Sequence, residues 1–195
     1  MQLLILEPAS RDVHIACWSW GQYLPHALLD VKISSYIRIH PRSTIADAKL
    51  VGHYVNSILA SEELQGTNYH EALFLDFEGN VAEGPGENIF LVKNGQLYTP
   101  QLGTILPGIT RSTIIELARD NGLTVQECRI TSADLMKADE AFFTGTAVEV
   151  ALIRSVDGHL IGSGGAGPLA SKLKAAYGEA VRGNDSRYGH FLTWT

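Results

Sequence analysis

The dipeptide Asn94–Gly95, which separates two apolar and β-branched segments, limits the fold of this chain more than any other feature. Both residue types accept the positive φ angles of a tight two-residue turn, and such a turn joins antiparallel strands. It therefore predicts a hairpin between strands at 88–92 and 96–98. Asp157–Gly158 has similar chemistry and predicts a second hairpin over 148–161.

Helical periodicity and strand-like segments alternate along the rest of the chain. Apolar residues recur at helical spacing over 49–64, 112–120 and 169–181. Hairpins interleaved with helices are typical of an α+β fold, not of a doubly wound parallel sheet. An apolar fraction of 45% supports the core of a single domain over residues 1–195. The remaining predicted strands are 3–6, 13–17, 33–40, 70–77, 124–130 and 141–144.

Charge and cysteine content argue against several classes of partner. The formal net charge is −6 and no basic stretch is present, so neither a nucleic acid nor an anionic membrane is expected as a partner. The apolar run at the N-terminus is too short to span a membrane and has no basic leader. Cys17 and Cys128 cannot form a framework of bridges, and a reduced, cytoplasmic setting fits them best.

Lys49 is the first candidate for chemistry, because it lies where an extended link becomes helical. A lysine at a helix start is usually solvated, and that interpretation is the simplest one. The neighbours Ala46, Ala48, Leu50 and Val51 instead predict burial of the amine. Burial would lower the pKa of the amine and leave it nucleophilic.

The acidic turn from Glu83 to Asn88 is the second candidate. Its glycines, Gly84 and Gly86, allow a ligand to approach the backbone closely. Either Glu83 or Glu87 alone is most simply a solvated residue at the end of a hairpin. The functional interpretation requires one of these carboxylates to face a pyridine nitrogen and keep that ring protonated.

A phosphate site is predicted where Gly108, Ile109 and Thr110 precede a helix. Free amides at a helix start, together with a hydroxyl, bind phosphate well. Ordinary N-capping by Thr110 or Ser112 explains the same residues equally well. Gly145–Thr146 adds a second wall to such a site, although alone it is only the end of a strand. An amine, a carboxylate and a phosphate site together are what pyridoxal phosphate requires.

Three other sequence patterns are weaker indications of function. The stretch Gly162–Gly167 matches the dinucleotide-binding glycine pattern, but the strand before it belongs to a hairpin and no parallel strand follows the helix, so a loop is expected. The seven histidines lack the spacing of metal ligands with an acidic partner, which argues against a metal site. The aromatic cluster of Trp18, Trp20 and Tyr23 is more typical of a core than of a pocket.

The order and spacing of four motifs resemble the fold-type IV pyridoxal-phosphate enzymes, and most closely the branched-chain amino acid aminotransferases. The resemblance extends from about Val13 to the end of the chain. It implies the large C-terminal domain of that fold, with hairpin-rich sheets in a pseudo-barrel packed with helices. The motifs are Ala48–Lys49 followed by Tyr54, the segment 83–90, the segment 106–111 and the segment 138–147.

The resemblance implies a cofactor-binding role for six residues. Lys49 corresponds to the lysine that forms the Schiff base with pyridoxal phosphate and moves the proton between the substrate and the cofactor. Tyr54 corresponds to the hydroxyl that binds the phenolic oxygen, and Glu83 to the partner of the pyridinium nitrogen. The phosphate cradle is implied to consist of Ile109, Thr110 and Thr146.

The resemblance also implies a substrate and a reaction. Thr146–Ala147 lies where the family binds the substrate carboxylate, and Trp20 and Tyr23 match aromatic positions of the side-chain pocket. The implied reaction is ping-pong transfer of an amino group between a branched-chain amino acid and 2-oxoglutarate. The implied assembly is a homodimer or a higher homo-oligomer. A D-amino acid aminotransferase and an aminodeoxychorismate lyase share the fold and are the alternatives.

One departure from the family concerns the smaller N-terminal domain, which family members carry ahead of the part seen here. That domain normally provides an arginine to the cofactor phosphate, and no residue of this chain is assigned to that role. We therefore expect an excised C-terminal domain or a truncated gene product that binds pyridoxal phosphate weakly or not at all and transaminates poorly. A further alternative is a non-catalytic chain that pairs with a full-length homologue.

Overall fold

A mixed β-sheet with helices packed on it forms the fold. The computed structural model describes residues 13–19, 21 and 23–194. A short 3₁₀ helix, Val51–His53, leads into the first α-helix, and another, Ser186–Phe191, follows the last one. The helices are α1 Tyr54–Glu62, α2 Ile109–Asp120, α3 Ser132–Met136 and α4 Pro168–Val181. The strands are β1 Leu29–Ile33, β2 Glu71–Leu73, β3 Asn88–Lys93, β4 Gln96–Pro100, β5 Val125–Cys128, β6 Glu140–Gly145, β7 Glu149–Val156 and β8 His159–Leu160.

The sheet order is β2-β1-β7-β6-β3-β4-β5, with β8 paired to β7. Among the four central strands, in the order β7, β6, β3 and β4, each strand is antiparallel to the next. Parallel pairs extend the sheet on both sides, since β1 runs parallel to β2 and to β7, and β5 runs parallel to β4. The sheet is therefore mixed, with an antiparallel centre.

Alternation along the central strands divides the core into two layers. In β3, Ile89 and Leu91 belong to one buried cluster, whereas Phe90 and Val92 belong to another. Successive residues of a strand point to opposite faces of the sheet, which explains the division. The second cluster includes Ile114 and other residues of α2 and α4, so these helices cover one face of the sheet.

The two ends of the strand order are joined by the turn that follows β2. The amide of Phe74 donates to the carbonyl of Glu83, and the amide of Val81 donates to the carbonyl of Ile130, just beyond β5. An isolated bridge pairs Asn80 with Thr131. These contacts link the outer strands, as expected for the pseudo-barrel.

Both predicted hairpins are confirmed. Asn94 and Gly95 have φ angles of 49° and 72°, and they connect β3 to β4. Asp157 and Gly158 have φ angles of 48° and 76° and connect β7 to β8. The turn chemistry therefore explains the antiparallel pairs β3–β4 and β7–β8.

Some strand boundaries differ from the predictions. The strand predicted over 33–40 is wrong, because it shares only Ile33 with β1 and residues 34–40 form no strand. β1 ends at Ile33, where Ser34 and Ser35 turn to donate hydrogen bonds to the carboxylate of Glu63. The strand predicted over 13–17 is not regular in the structure, and residues 3–6 lie outside the described residues. In the part of the chain that is described, no helix is both long and apolar enough to span a membrane.

Candidate active site

A cavity of about 310 Å³ lies where α1 begins, next to the acidic turn, the segment before α2 and the end of β6. Four separate stretches of sequence, 47–57, 83–88, 106–110 and 144–146, provide its walls together with Arg38. The fold thus brings the predicted motifs together, although nearly one hundred residues separate the first from the last. The predicted cofactor residues that line the cavity are Lys49, Tyr54, Glu83, Ile109, Thr110 and Thr146.

Lys49 lies after a segment of turns and one residue before Leu50, the extended N-cap of the 3₁₀ turn that leads into α1. Its amine lies 5.9 Å from the centroid of the Tyr54 ring, so both side chains occupy the same wall. The predicted burial is wrong, because Lys49 is exposed. The apolar neighbours Leu50 and Val51 are themselves 47% and 88% exposed and do not cover the amine.

Glu83 is buried and held by several donors. Its Oε1 atom lies 2.5 Å from Nε of Arg38, and Nδ2 of Asn88 donates to Oε2 over 2.9 Å. The amide of Leu106 donates to both oxygens, over 3.2 and 3.0 Å. Burial raises the pKa of Glu83 to about 7, while Arg38 acts to lower it. The interpretation of Glu83 as a solvated residue at a hairpin end is therefore wrong.

Arg38 and Asn88 are functional candidates that the sequence analysis did not assign. Arg38 is buried, lines the cavity and fixes the Glu83 carboxylate. Asn88 donates both to Glu83 and to the carbonyl of Leu106, so it ties the acidic turn to the segment before α2. A signal for Asn88 was present, since an amide side chain at the first position of a buried strand needs partners.

Two further acids, Glu71 and Glu87, are buried beside the turn. Oε2 of Glu87 accepts from the amide of Gly86 over 3.0 Å, and Oε1 of Glu71 accepts from the amide of Ala72 over 2.8 Å. Burial raises the pKa of each carboxyl, and their mutual repulsion raises that of Glu87 further. Glu87 lines the cavity, whereas Glu71 does not.

The N-terminus of α2 opens into the cavity without a side-chain cap. The helix begins at Ile109, three residues earlier than predicted, and the N-cap is Gly108. Capping by Thr110 or Ser112 is therefore wrong. The hydroxyl of Ser112 donates to the carbonyl of Gly108, and that of Thr110 has only a 3.5 Å contact with Tyr177. The first amides of α2 remain available, which is the arrangement that binds anions.

The predicted substrate residues are only partly at the cavity. Thr146 lines it, whereas Ala147 follows as an exposed residue that does not. The hydroxyl of Tyr23 lies close to Gly86, at 3.9 Å from the position that a Cβ atom on Gly86 would occupy. The pKa of Tyr23 is raised mainly by burial of its hydroxyl and further by the nearby carboxyl of Glu87. Trp20 lies outside the described residues.

Comparison with known proteins gives a consistent result. The family model described as amino-transferase class IV matches residues 7–156. A branched-chain-amino-acid aminotransferase of Pseudomonas aeruginosa is 46% identical over 194 residues, covering 96% of this chain and 63% of its own length. The Escherichia coli K12 enzyme of the same name is 41% identical over 86% of this chain and 56% of its own length. The chain thus spans about three fifths of these relatives.

Solved structures agree in fold. A branched-chain aminotransferase of Thermoproteus uzoniensis with norvaline has a TM-score of 0.87 at 41% identity, covering 91% of this chain and 59% of that one. A branched-chain amino acid aminotransferase of Thermobaculum terrenum in its PLP-form has a TM-score of 0.82 at 42% identity, covering 85% of this chain and 55% of that one. The expected fold is confirmed by these similarities. The chain belongs to the class IV aminotransferase family, in its fold-type IV fold.

Proposed function

We propose that this chain forms the cofactor-binding domain of a pyridoxal-phosphate-dependent aminotransferase that exchanges an amino group between branched-chain amino acids and 2-oxoglutarate. The observation that carries the proposal is the convergence of an amine, a buried carboxylate and an uncapped helix N-terminus on one cavity, with Lys49, Glu83 and Thr110 on its walls. The relatives that bear this name, at 46% and 41% identity, support the branched-chain assignment.

The residues of the cavity fit pyridoxal phosphate in each of its parts. Lys49 would hold the aldehyde carbon, and the hydroxyl of Tyr54 would bind the phenolic oxygen. The amides at Ile109 and Thr110, together with the Thr146 side chain, would hold the phosphate, because α2 has no side-chain cap. When bound, the cofactor supplies an electron-withdrawing ring that stabilises negative charge on the substrate carbon next to nitrogen.

Glu83 would accept a hydrogen bond from the protonated pyridine nitrogen. Its carboxylate is already oriented by Arg38, Asn88 and the amide of Leu106. A carboxyl with a pKa of about 7 is ionised more readily beside a positive ring, because an adjacent cation lowers the pKa. Glu83 would thereby keep the ring protonated during turnover.

Lys49 would also carry the proton between substrate and cofactor. A base must reach its proton within hydrogen-bond distance, and the exposed side chain of Lys49 has room to reorient. Thr146 and Ala147 would hold the substrate carboxylate, and Trp20 and Tyr23 would contact the substrate side chain. About two fifths of each relative's length is not matched by this chain, and we propose that a segment corresponding to that part completes the pocket.

Covalent attachment of the cofactor tests this proposal. Pyridoxal phosphate added to the purified chain should change its absorbance as it bonds to an amine, and reduction with borohydride should fix the label on the Lys49 peptide in mass spectrometry. The variant Lys49→Ala should lose this label completely, because Lys49 is the amine on the cavity wall. Lys172→Ala, on the exposed side of α4, is the matched control and should keep it.

Amino transfer is then measured with and without a full-length homologue as a partner. L-Leucine, L-isoleucine and L-valine with 2-oxoglutarate should be converted, and D-alanine should not. Label on Lys172 or scattered over surface lysines, with none on Lys49, would refute the proposal. We also propose that copies of the chain associate as a homodimer or a higher homo-oligomer.

A further inference from the structure

Thr144 is a cavity residue that none of the roles above uses. It lies in β6, directly opposite Asn88 of β3 and Val150 of β7. Val150 and Phe142 belong to the buried cluster beneath α2 and α4, so alternation places Thr144 on the same face of the sheet as α2. The residue also lines the cavity into which α2 opens.

The hydroxyl of Thr144 has no hydrogen-bond partner among the residues that the structure describes. The residue is 1% exposed, so solvent does not take the place of a partner. Asn88, its neighbour across the strands, has both amide hydrogens engaged, by Glu83 and by the carbonyl of Leu106. Burial of a hydroxyl without a partner is unfavourable, and buried polar groups in folded proteins are rarely left in this state.

The charges on the cavity wall favour an anion as the missing partner. Among the lining residues described, the Arg and Lys side chains are Arg38 and Lys49. Arg38 already pairs with Glu83, and the proposed function assigns Lys49 to the cofactor aldehyde. An anion at the N-terminus of α2 therefore depends on neutral donors, namely backbone amides and hydroxyl groups. A free hydroxyl on the same wall as Thr110 adds one such donor, and hydrogen bonds to charged groups are stronger than those to neutral groups.

From this arrangement we infer that the Thr144 hydroxyl is a ligand of the phosphate group in the cavity, in addition to Ile109, Thr110 and Thr146. The inference rests on the proposed function for the identity of the phosphate ester, but its chemistry requires only a phosphate monoester at the N-terminus of α2. Thr144 thereby makes the cavity selective for phosphorylated over non-phosphorylated forms of the cofactor.

The test uses probes that cannot bond covalently to Lys49. Pyridoxamine 5'-phosphate, pyridoxamine and inorganic phosphate are titrated into the full chain by calorimetry. Thr144→Val, which keeps the shape and removes the hydroxyl, should weaken binding of pyridoxamine 5'-phosphate and of inorganic phosphate by about 10- to 100-fold. Thr144→Ser should restore most of this affinity, and the affinity for pyridoxamine should stay within about twofold.

Thr113→Val is the matched control, because Thr113 is buried on α2 and does not line the cavity, and its hydroxyl already donates to the carbonyl of Ile109. It should leave the preference for phosphorylated probes unchanged. Without any probe, Thr144→Val should unfold at the same temperature as the unchanged protein or higher, since the lost hydroxyl had no partner in the described chain. A lower unfolding temperature would indicate a structural role and would overturn the inference.

Two other results would overturn it. One is unchanged phosphate affinity in Thr144→Val, and the other is no binding of inorganic phosphate or pyridoxamine 5'-phosphate by the unchanged protein. If phosphate binding depends on Thr144 while Lys49 never acquires the cofactor label, the phosphate site stands and the proposed aminotransferase function fails. The two proposals are therefore separable in one set of variants.

Discussion

At the scale of single residues, the paired charges of Arg38 and Glu83 determine the electrostatics of the cavity. Each side chain is almost fully buried, and the two atoms nearest each other are 2.5 Å apart. Removal of one member of a buried ion pair leaves the other charge without compensation, which is costlier than removal of both. Glu83 was predictable from its motif, whereas Arg38 lies 45 residues earlier in a segment that was predicted only as a strand.

We expect Arg38→Leu to destabilise the fold by about 3 kcal/mol at pH 8. The loss should be smaller at pH 5, since Glu83 without Arg38 takes up a proton more readily and then needs no cation. The double variant Arg38→Leu/Glu83→Gln should recover much of the stability. Urea denaturation at both pH values measures these differences.

The exposed ion pair of Arg129 and Glu78 provides the control for this experiment. Its atoms are 3.0 Å apart and both side chains are largely solvated. Arg129→Leu should therefore change the free energy of unfolding by less than about 1 kcal/mol. An Arg38→Leu variant as stable as this control at pH 8 would show that the buried pair contributes little.

At the scale of secondary-structure elements, local signals were reliable where a turn requires a particular backbone. Asn94–Gly95 and Asp157–Gly158 predicted their hairpins, and all four residues have the positive φ angles that these turns require. The parallel pairing of β1 with β2 and β7 was not predictable, because the partners are distant in sequence and no short turn joins them. The start of α2 was missed since Gly108 caps it without a side chain.

The outer face of α1 is apolar and uncovered in the described chain. Val51, Val55 and Ile58 recur at helical spacing and are 88%, 59% and 58% exposed. A contiguous apolar face of this kind favours association, and we expect a second copy of the chain to cover it. Light scattering should give a mass well above 21.2 kDa, and Val55→Lys/Ile58→Lys should reduce it to that of a monomer.

Leu160→Lys serves as the matched variant, because Leu160 in β8 is 54% exposed but lies away from α1. It should leave the measured mass unchanged. A monomer for the unchanged protein, or equal effects of the α1 and β8 variants, would rule out α1 as the contact surface.

At the scale of the whole molecule, the motifs predicted which residues meet, and the fold decides how they are held. Lys49, Glu83 and Thr110 come from three elements and line one cavity, as the order of the motifs implied. The burial of their surroundings was not predictable, because it depends on packing between distant segments. Glu71, for example, is a charged residue in β2, yet it is buried.

Buried acids also couple the stability of the molecule to pH. Burial raises the pKa of Glu71, Glu83 and Glu87 above the ordinary value of 4.5. Between that value and the raised ones, the folded chain holds more protons than the unfolded chain does. Their stabilising contribution is therefore complete below about pH 4.5 and is lost as the pH rises through neutrality. Desolvation lowers the pKa of His70, which acts in the opposite direction over part of this range.

A comparison of variants isolates the carboxyl groups from that opposing effect. Glu87→Gln resembles the protonated acid at every pH, so its stability should fall less than that of the unchanged protein between pH 5 and pH 8. At pH 8 it should unfold about 3 °C higher, and at pH 5 at nearly the same temperature. Glu179→Gln, on the exposed side of α4, should follow the unchanged protein at both pH values. If the unfolding temperatures of Glu87→Gln and the unchanged protein change with pH in parallel, the prediction is wrong. Glu87 would then be ionised in the folded chain at neutral pH, with its negative charge stabilised by other groups.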